Sequence, residues 1–164
     1  VLAALLAGCG ETKDTGATES FEDPPPTEPL ELELGAGRTA FVELDEDAPT
    51  LEIISGPQGG WHLEVTLRLS HYDEEPLVLD YQALDLEGRS LGFPAEYAVD
   101  VDRLLEVDGE RFVRVGDRVV FDVPDPDLVR GLEIRVTCRA SRGDQELAAT
   151  EETVLLIDEV DELL

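Results

Sequence analysis

Carboxylates are the commonest chemical groups in this chain, with 39 Asp and Glu against 12 Lys and Arg, and two segments place them at alternate positions beside loops. Asp100-Val101-Asp102 and Asp122-Val123-Pro124-Asp125-Pro126-Asp127 offer hard oxygen ligands of the kind Ca²⁺ takes in sets of six to eight. Neither has the glycine and terminal glutamate of an EF-hand loop. In a chain of formal net charge -27, a solvated acidic edge that discourages sheet-to-sheet association accounts for both segments without an ion. Ca²⁺ on Asp100, Asp102, Asp122, Asp125 and Asp127 is therefore the secondary expectation, and no other cofactor is called for.

The second candidate is Gly56-Pro57-Gln58-Gly59-Gly60-Trp61-His62. Three glycines permit a tight turn, Trp61 is expected to fill the core, and Gln58 and His62 are placed to hydrogen-bond the loop backbone. A structural turn explains the segment, and a ligand pocket built on Gln58, Trp61 and His62 is the functional alternative. The segment resembles a stretch found in small uncharacterised lipoproteins of myxobacterial type, and this resemblance implies no activity. His62 and His71 differ by an odd number of positions, so a straight strand would set them on opposite faces, about 30 Å apart. They converge only across a bend, and with no finger-like Cys–His spacing in the chain zinc is not expected.

Nucleophilic chemistry has little to work with. No Gly-x-Ser-x-Gly elbow, phosphate-cradling loop, His-Glu-x-x-His or dinucleotide fingerprint is present. Cys138 alternates with apolar neighbours in Leu132-Glu133-Ile134-Arg135-Val136-Thr137-Cys138, which puts it on one face with Leu132, Ile134 and Val136. A thiol buried there is held protonated and inert. Carboxylate pairs for glycoside hydrolysis arise by coincidence among 39 acids, so a small envelope hydrolase is only an alternative reading.

The elements that must position these groups are strands. Leu30 to Leu34 alternates apolar and acidic residues, Thr39 to Leu44 and Leu51 to Ser55 are short runs, and Trp61 to Leu69 alternates cleanly. In that last run Trp61, Leu63, Val65, Leu67 and Leu69 are expected inward, and His62, Glu64, Thr66 and Arg68 on a polar face. Leu77 to Leu86 changes parity between Tyr81 and Leu84, the mark of a bulge or a strand changing sheets. Tyr97 to Leu105 reads equally as strand or short helical turn. Glu110 to Val115 and Arg118 to Val123 read as two runs around Gly116-Asp117, and Leu132 to Ala140 with Glu146 to Ile157 as a terminal hairpin. Eight or nine short strands separated by turn signals predict an all-β fold, an immunoglobulin-like or fibronectin-like antiparallel β-sandwich, with a closed barrel as alternative.

The start of the chain reads as an address. Val1 to Leu5 is apolar and runs into Leu6-Ala7-Gly8-Cys9, after which the sequence turns polar. Too few apolar residues precede Cys9 for a spanning helix, which needs about 20. Leu6-Ala7-Gly8-Cys9 resembles the lipobox of bacterial lipoproteins. In that family the cysteine becomes the acylated N-terminus, so the resemblance implies lipidation of Cys9, residues 1–8 as a truncated signal-peptide remnant, and a membrane partner reached through the lipid. It also implies a cell-envelope location. Gly10 stands where an Asp favours the inner membrane in some bacteria, so the outer membrane is expected. Several acyl chains at about 0.8 kcal/mol per buried CH₂ anchor firmly.

Residues 9–29, rich in Pro, Glu and Thr, have too little to bury and are expected to form a disordered tether, with 20 coil residues spanning roughly 25 Å. Residues 30–158 are the β-sandwich domain and 159–164 an acidic tail. A chain this acidic repels phosphates, which excludes DNA and RNA as partners. The expected function is a lipid-anchored envelope protein displaying a β-sandwich that binds an envelope protein or glycan. A calcium-stabilised adhesion module is the other alternative.

Overall fold

The computed structural model describes residues 28–56, 60–107 and 111–158. Cys9 and its lipobox-like neighbours, the expected tether as far as residue 27, Gln58 and the expected tail at 159–164 lie outside the described residues. Among the described residues ten strands follow one another: β1 (Glu31–Ala36), β2 (Val42–Glu43), β3 (Thr50–Ser55), β4 (Trp61–Ser70), β5 (Leu77–Leu84), β6 (Ala95–Val99), β7 (Leu105–Glu106), β8 (Arg111–Val120), β9 (Glu133–Arg142) and β10 (Gln145–Asp158). The segment left open between strand and helical turn divides into β6 and a 3₁₀ turn at Val101–Arg103. No helix among the described residues is long and apolar enough to cross a membrane.

The strands form one curled, mixed sheet in the order β2-β1-β4-β3-β10-β9-β5-β6, with β8 on the other side of β4 and β7 beyond it. Leu63, Val65, Leu67 and Leu69 of β4 have no exposed surface and meet Leu79 and Tyr81 of β5, Ile134, Val136 and Cys138 of β9, and Val154 and Leu156 of β10 in one core. Burial of each large aliphatic side chain there contributes about 1.5–3 kcal/mol.

Two connections bend the sheet around this core. At one side β3 belongs to both halves: Thr50–Ile53 pair with Leu155–Asp158, and Ile54 and Ser55 pair with His62 and Trp61. The first of these pairings is parallel, so the arrangement is mixed where an antiparallel one was expected. A strand passing from one half to the other runs in the same direction as the last strand of the half it joins. At the other side bridges Leu84–Ser90 and Gly92–Phe121 carry hydrogen bonding from β5 round to the end of β8, with Phe93 N–H donating to the Val120 carbonyl at 3.0 Å. A Cβ on Gly92 would stand 2.1 Å from that same Val120 oxygen, so the close approach requires glycine there.

Several local expectations fail for identifiable reasons. Gly116-Asp117 is not a turn: β8 runs through it, and Gly116 (φ +77°) lies within the strand. β5 keeps strict parity, because small Ala83 continues the inward set of Leu77, Leu79 and Tyr81. Leu86 lies in the turn beyond, 56% exposed. Leu132 precedes β9 and is exposed, and does not share the face of Ile134, Val136 and Cys138.

Candidate functional site

The densest polar constellation lies inside the fold and originates in the Gly116 irregularity. Across the β4–β8 ladder Val65 faces Asp117 and Leu67 faces Arg114, so Val115 and Gly116 together stand against Thr66 alone. This is a β-bulge with a positive-φ glycine. Residues three apart on a regular strand point to opposite faces. The extra residue brings Arg114 and Asp117 to the same, inner face.

There Asp117 is 1% exposed. Its Oδ1 accepts from Arg114 Nε at 2.9 Å and lies 2.8 Å from the guanidinium Nη2, while its Oδ2 accepts from the Tyr81 hydroxyl at 3.0 Å. The two strands β5 and β8 are thereby tied through the core. Hydrogen bonding to the Asp117 carboxylate holds the Arg114 guanidinium above its usual range. Burial pushes the Tyr81 phenol well up.

Tyr97 of β6 closes the network from the side. Its ring meets Tyr81 edge-on at 5.9 Å and faces the Arg114 guanidinium at 5.7 Å. The Tyr97 hydroxyl donates to the Arg118 carbonyl and accepts from the Arg118 N–H, both at 2.8 Å, so it satisfies the backbone edge of β8 as a neighbouring strand would. Cys138, opposite Tyr81 in the β5–β9 register, is fully buried, and burial pushes its thiol up to about 12. Chemically the network is a charge-compensated pair beside a protonated thiol, an arrangement that fixes register and carries no free nucleophile.

The Trp61–His62 segment enters β4, and the fold places it differently from expectation. Trp61 is only partly buried and packs against the margin of the core. His62, expected on the polar face of its strand, is 6% exposed. The outer face of β4 is covered by the end of β1 and the chain that follows it: the Thr66 hydroxyl donates to the Ala36 carbonyl at 2.7 Å, Arg68 stacks its guanidinium 4.5 Å from the Phe41 ring centroid, and Arg38 reaches Glu64 at 3.7 Å.

His62 stands between Ile54 and Val120 in the ladders, with Nε2 3.8 Å from Glu64 Oε1. Glu64 in turn meets Arg118 at 3.3 Å and Arg38 at 3.7 Å, and Arg38 reaches Glu52 at 3.5 Å. Burial first, and the Arg118 charge second, lower the His62 pKa. The imidazole is thus kept neutral, and its buried Nε2 lacks a hydrogen-bond partner. His71 lies past the end of β4 with φ 59° and pairs with Glu28 at 3.0 Å, away from this group in the chain and on a different partner.

The five aspartates proposed for Ca²⁺ have mostly local roles. Asp125 accepts from the Asp127 N–H at 2.9 Å, capping the 3₁₀ turn Pro126–Leu128, and Asp127 pairs with Arg130, which also holds Asp158. Asp102 and Asp122 are exposed, and Asp100 lies 3.9 Å from Arg103. Among the described residues no three or more His, Cys, Asp or Glu side chains are grouped to hold a metal ion. Missing from the sequence reading were Arg114, Asp117, Tyr81 and Tyr97, and the pairing of Glu64 with Arg38 and Arg118. The one available signal was a glycine between Arg114 and Asp117 inside a β-patterned run.

No family model matches the chain. No curated protein matches it. Solved structures do: a glycosyl hydrolase family 2 member from Bacteroides cellulosilyticus DSM 14838 aligns over 79% of this chain with 13% identity and a TM-score of 0.49. A second structure of a family 2 member from Bacteroides cellulosilyticus, from microfluidic crystals, aligns over 79% with 13% identity and a TM-score of 0.50. The alignments cover 16% and 15% of those proteins, so this chain spans only a small part of their length. At that identity the likeness concerns the fold alone.

Proposed function

We propose that this chain is a lipid-anchored protein of the bacterial cell envelope, held in the outer membrane by acylation of Cys9, whose β-domain serves as a binding module for an envelope protein or glycan. The observation that carries the reading is the Leu6-Ala7-Gly8-Cys9 junction, where apolar sequence ends and polar, Pro-rich sequence begins. Lipid at that cysteine holds the domain at a membrane surface with no spanning segment. The net charge of -27 keeps such a domain soluble beside the membrane and turns it away from nucleic acids.

Mass spectrometry of the mature protein from its native host tests the anchor. The expected product begins at an acylated Cys9, and an unmodified N-terminus upstream of Cys9 refutes the reading. Cys9→Ser is expected to leave the membrane fraction, and a variant that stays there as firmly as the original also refutes it. The binding half is tested by capture from envelope extracts with and without Ca²⁺. A specific partner supports it, recovery of none counts against it, and capture that needs Ca²⁺ transfers the reading to a calcium-stabilised adhesion module.

A further inference from the structure

His62 is buried within a group of charges drawn from four separate segments of the chain. In the ladders it stands between Ile54 of β3 and Val120 of β8, and residues directly opposite share a face, so these two apolar side chains flank the imidazole. Glu64, two residues on in β4, lies on the same face. Its Oε1 is 3.8 Å from His62 Nε2 and 3.3 Å from Arg118 Nη2, and its Oε2 is 3.7 Å from Arg38 Nε. Behind Arg38 stands Glu52 of β3, 3.5 Å from Nη2. Among the described residues these are the charged groups that β3, β4, β8 and the chain after β1 turn toward the imidazole, whose side chain is 8% exposed.

The neutral ring fits this arrangement and the charged ring does not. One carboxylate, Glu64, already serves two guanidinium groups. Protonation places an N–H on both ring nitrogens, and the Glu64 oxygen facing Nε2 is beyond hydrogen-bond distance and is engaged by Arg118. A buried charge left without an acceptor is costly. Relief comes from letting water reach the ring, which requires one of the covering groups to move.

Arg38 is the group placed to leave. The strands β3, β4 and β8 are joined by ladders, and the Tyr97 hydroxyl holds the β8 backbone at Arg118. Arg38 belongs to residues 37–40, which lie between β1 and β2 outside any strand and start from Gly37 at φ +102°. Its side chain is 48% exposed, and ion pairs of this exposure and length hold weakly.

We infer that His62, Glu64 and Arg38 form an acid-released clasp: at neutral pH Arg38 fastens residues 37–40 over the outer face of β4, and protonation of His62 frees them and uncovers that face. The closed form disfavours the proton, through burial first and the Arg118 charge second, and a form with the ring in water regains the ordinary histidine value of 6.5. Acid therefore selects the open form. Its population relative to the closed form rises by up to about tenfold per pH unit as pH falls from 6.5 to the closed-state value. The clasp depends neither on acylation of Cys9 nor on the binding module.

NMR of the ¹⁵N-labelled full chain between pH 7.5 and pH 5 tests it. Heteronuclear NOEs of the Arg38, Thr39 and Ala40 amides follow the segment, the His62 ring resonances follow protonation, and the Val136 and Cys138 amides of β9 report whether the rest of the fold stays intact. The expected result is loss of order at residues 38–40 along the His62 titration curve, with Val136 and Cys138 unchanged. His62→Gln is expected to keep residues 38–40 ordered at both ends of the range, and Glu64→Gln to loosen them already at pH 7.5. Arg38→Gln is expected to raise the His62 midpoint toward 6.5, because coupling between cover and proton is reciprocal. His71→Gln, which removes the imidazole paired with Glu28, is expected to retain the response. Order at residues 38–40 that ignores pH, an equal loss in His62→Gln, or collapse of the Val136 and Cys138 signals over the same range overturns the clasp.

Discussion

Removing the carboxylate of Asp117 is expected to be among the most damaging single changes in this domain, and the structure supplies the magnitude. Asp117 is 1% exposed, and the Arg114 side chain that it holds is 16% exposed. Breaking a buried pair by deleting one partner costs about 3–5 kcal/mol. Arg114 keeps the Arg103 carbonyl at 3.4 Å and the Tyr97 ring, which places Asp117→Ala at the lower end, about 3 kcal/mol. Losing the acceptor for the Tyr81 hydroxyl adds about 1 kcal/mol.

Arg114→Met leaves the carboxylate with Tyr81 alone and is expected to cost more, about 4–5 kcal/mol. The double replacement Arg114→Met/Asp117→Leu removes both charges and is expected to lie within about 1 kcal/mol of the original, since a buried pair and a hydrophobic substitute of similar volume nearly balance. Urea unfolding followed through Trp61, the single tryptophan, measures all three against a total stability on the order of 5–15 kcal/mol. A cost under about 1 kcal/mol for Asp117→Ala, or a double variant as unstable as the summed singles, refutes the assignment of Asp117 and Arg114 as one coupled unit.

Three further expectations follow from the same geometry. Gly116→Ala meets nothing within 4 Å of its new Cβ but must hold φ +77°, so it is expected to cost about 1–2 kcal/mol from backbone strain; Gly92→Ala drives a Cβ to 2.1 Å from the Val120 oxygen and is expected to cost more, and the reverse order in urea melts would contradict the closure at Gly92–Phe121. The His62 pKa is lowered in the fold, so the unfolded chain binds the proton more readily: the contribution of neutral His62 is complete above pH 6.5 and is lost as pH falls toward the folded value. Stability measured from pH 7.5 to 5 is expected to fall less in His62→Gln, and equal slopes would count against a buried neutral imidazole. With its thiol at about 12, Cys138 is about 10⁻⁴ ionised at pH 8; in a Cys9→Ser chain an aromatic disulfide reagent is expected to react only at the rate of unfolding, and rapid labelling of the native protein would show an open route to the core.

How much of this was legible in the sequence depended on whether the determining interaction was local. The alternation in Trp61 to Leu69 and the Gly143-Asp144 turn are local, and β4 and the β9–β10 hairpin follow from them. The Gly116 bulge is half local: glycine signals a break, but whether the chain turns or continues depends on β4 lying alongside. That misreading hid the Arg114–Asp117 pair, since without the extra residue the two side chains belong to opposite faces. Burial of His62 was out of reach for another reason. Period-2 patterning ranks the two faces of a strand by polarity, and β4 has its polar face covered by the end of β1 and the chain that follows it, with Thr66 bonded to Ala36 and Arg68 against Phe41. Leu132 shows the converse error, an apolar residue in phase with β9 but one place before the ladder begins.

The double membership of β3 has a consequence in time as well as in space. Thr50 finds its partner at Leu155 and Ile53 finds its partner at Asp158, so in a chain emerging from the ribosome this seam cannot form until β10 has been made, whereas the join at Gly92–Phe121 can form earlier. Pairings this distant close slowly, because the loop entropy is spent before any contact is gained. During synthesis β4 can pair first with β1 and then with β8, while the β3–β10 seam waits for residues 155–158. The β3–β10 seam is thus the last join of the sheet to close, and it completes a core whose other pairings are already within reach.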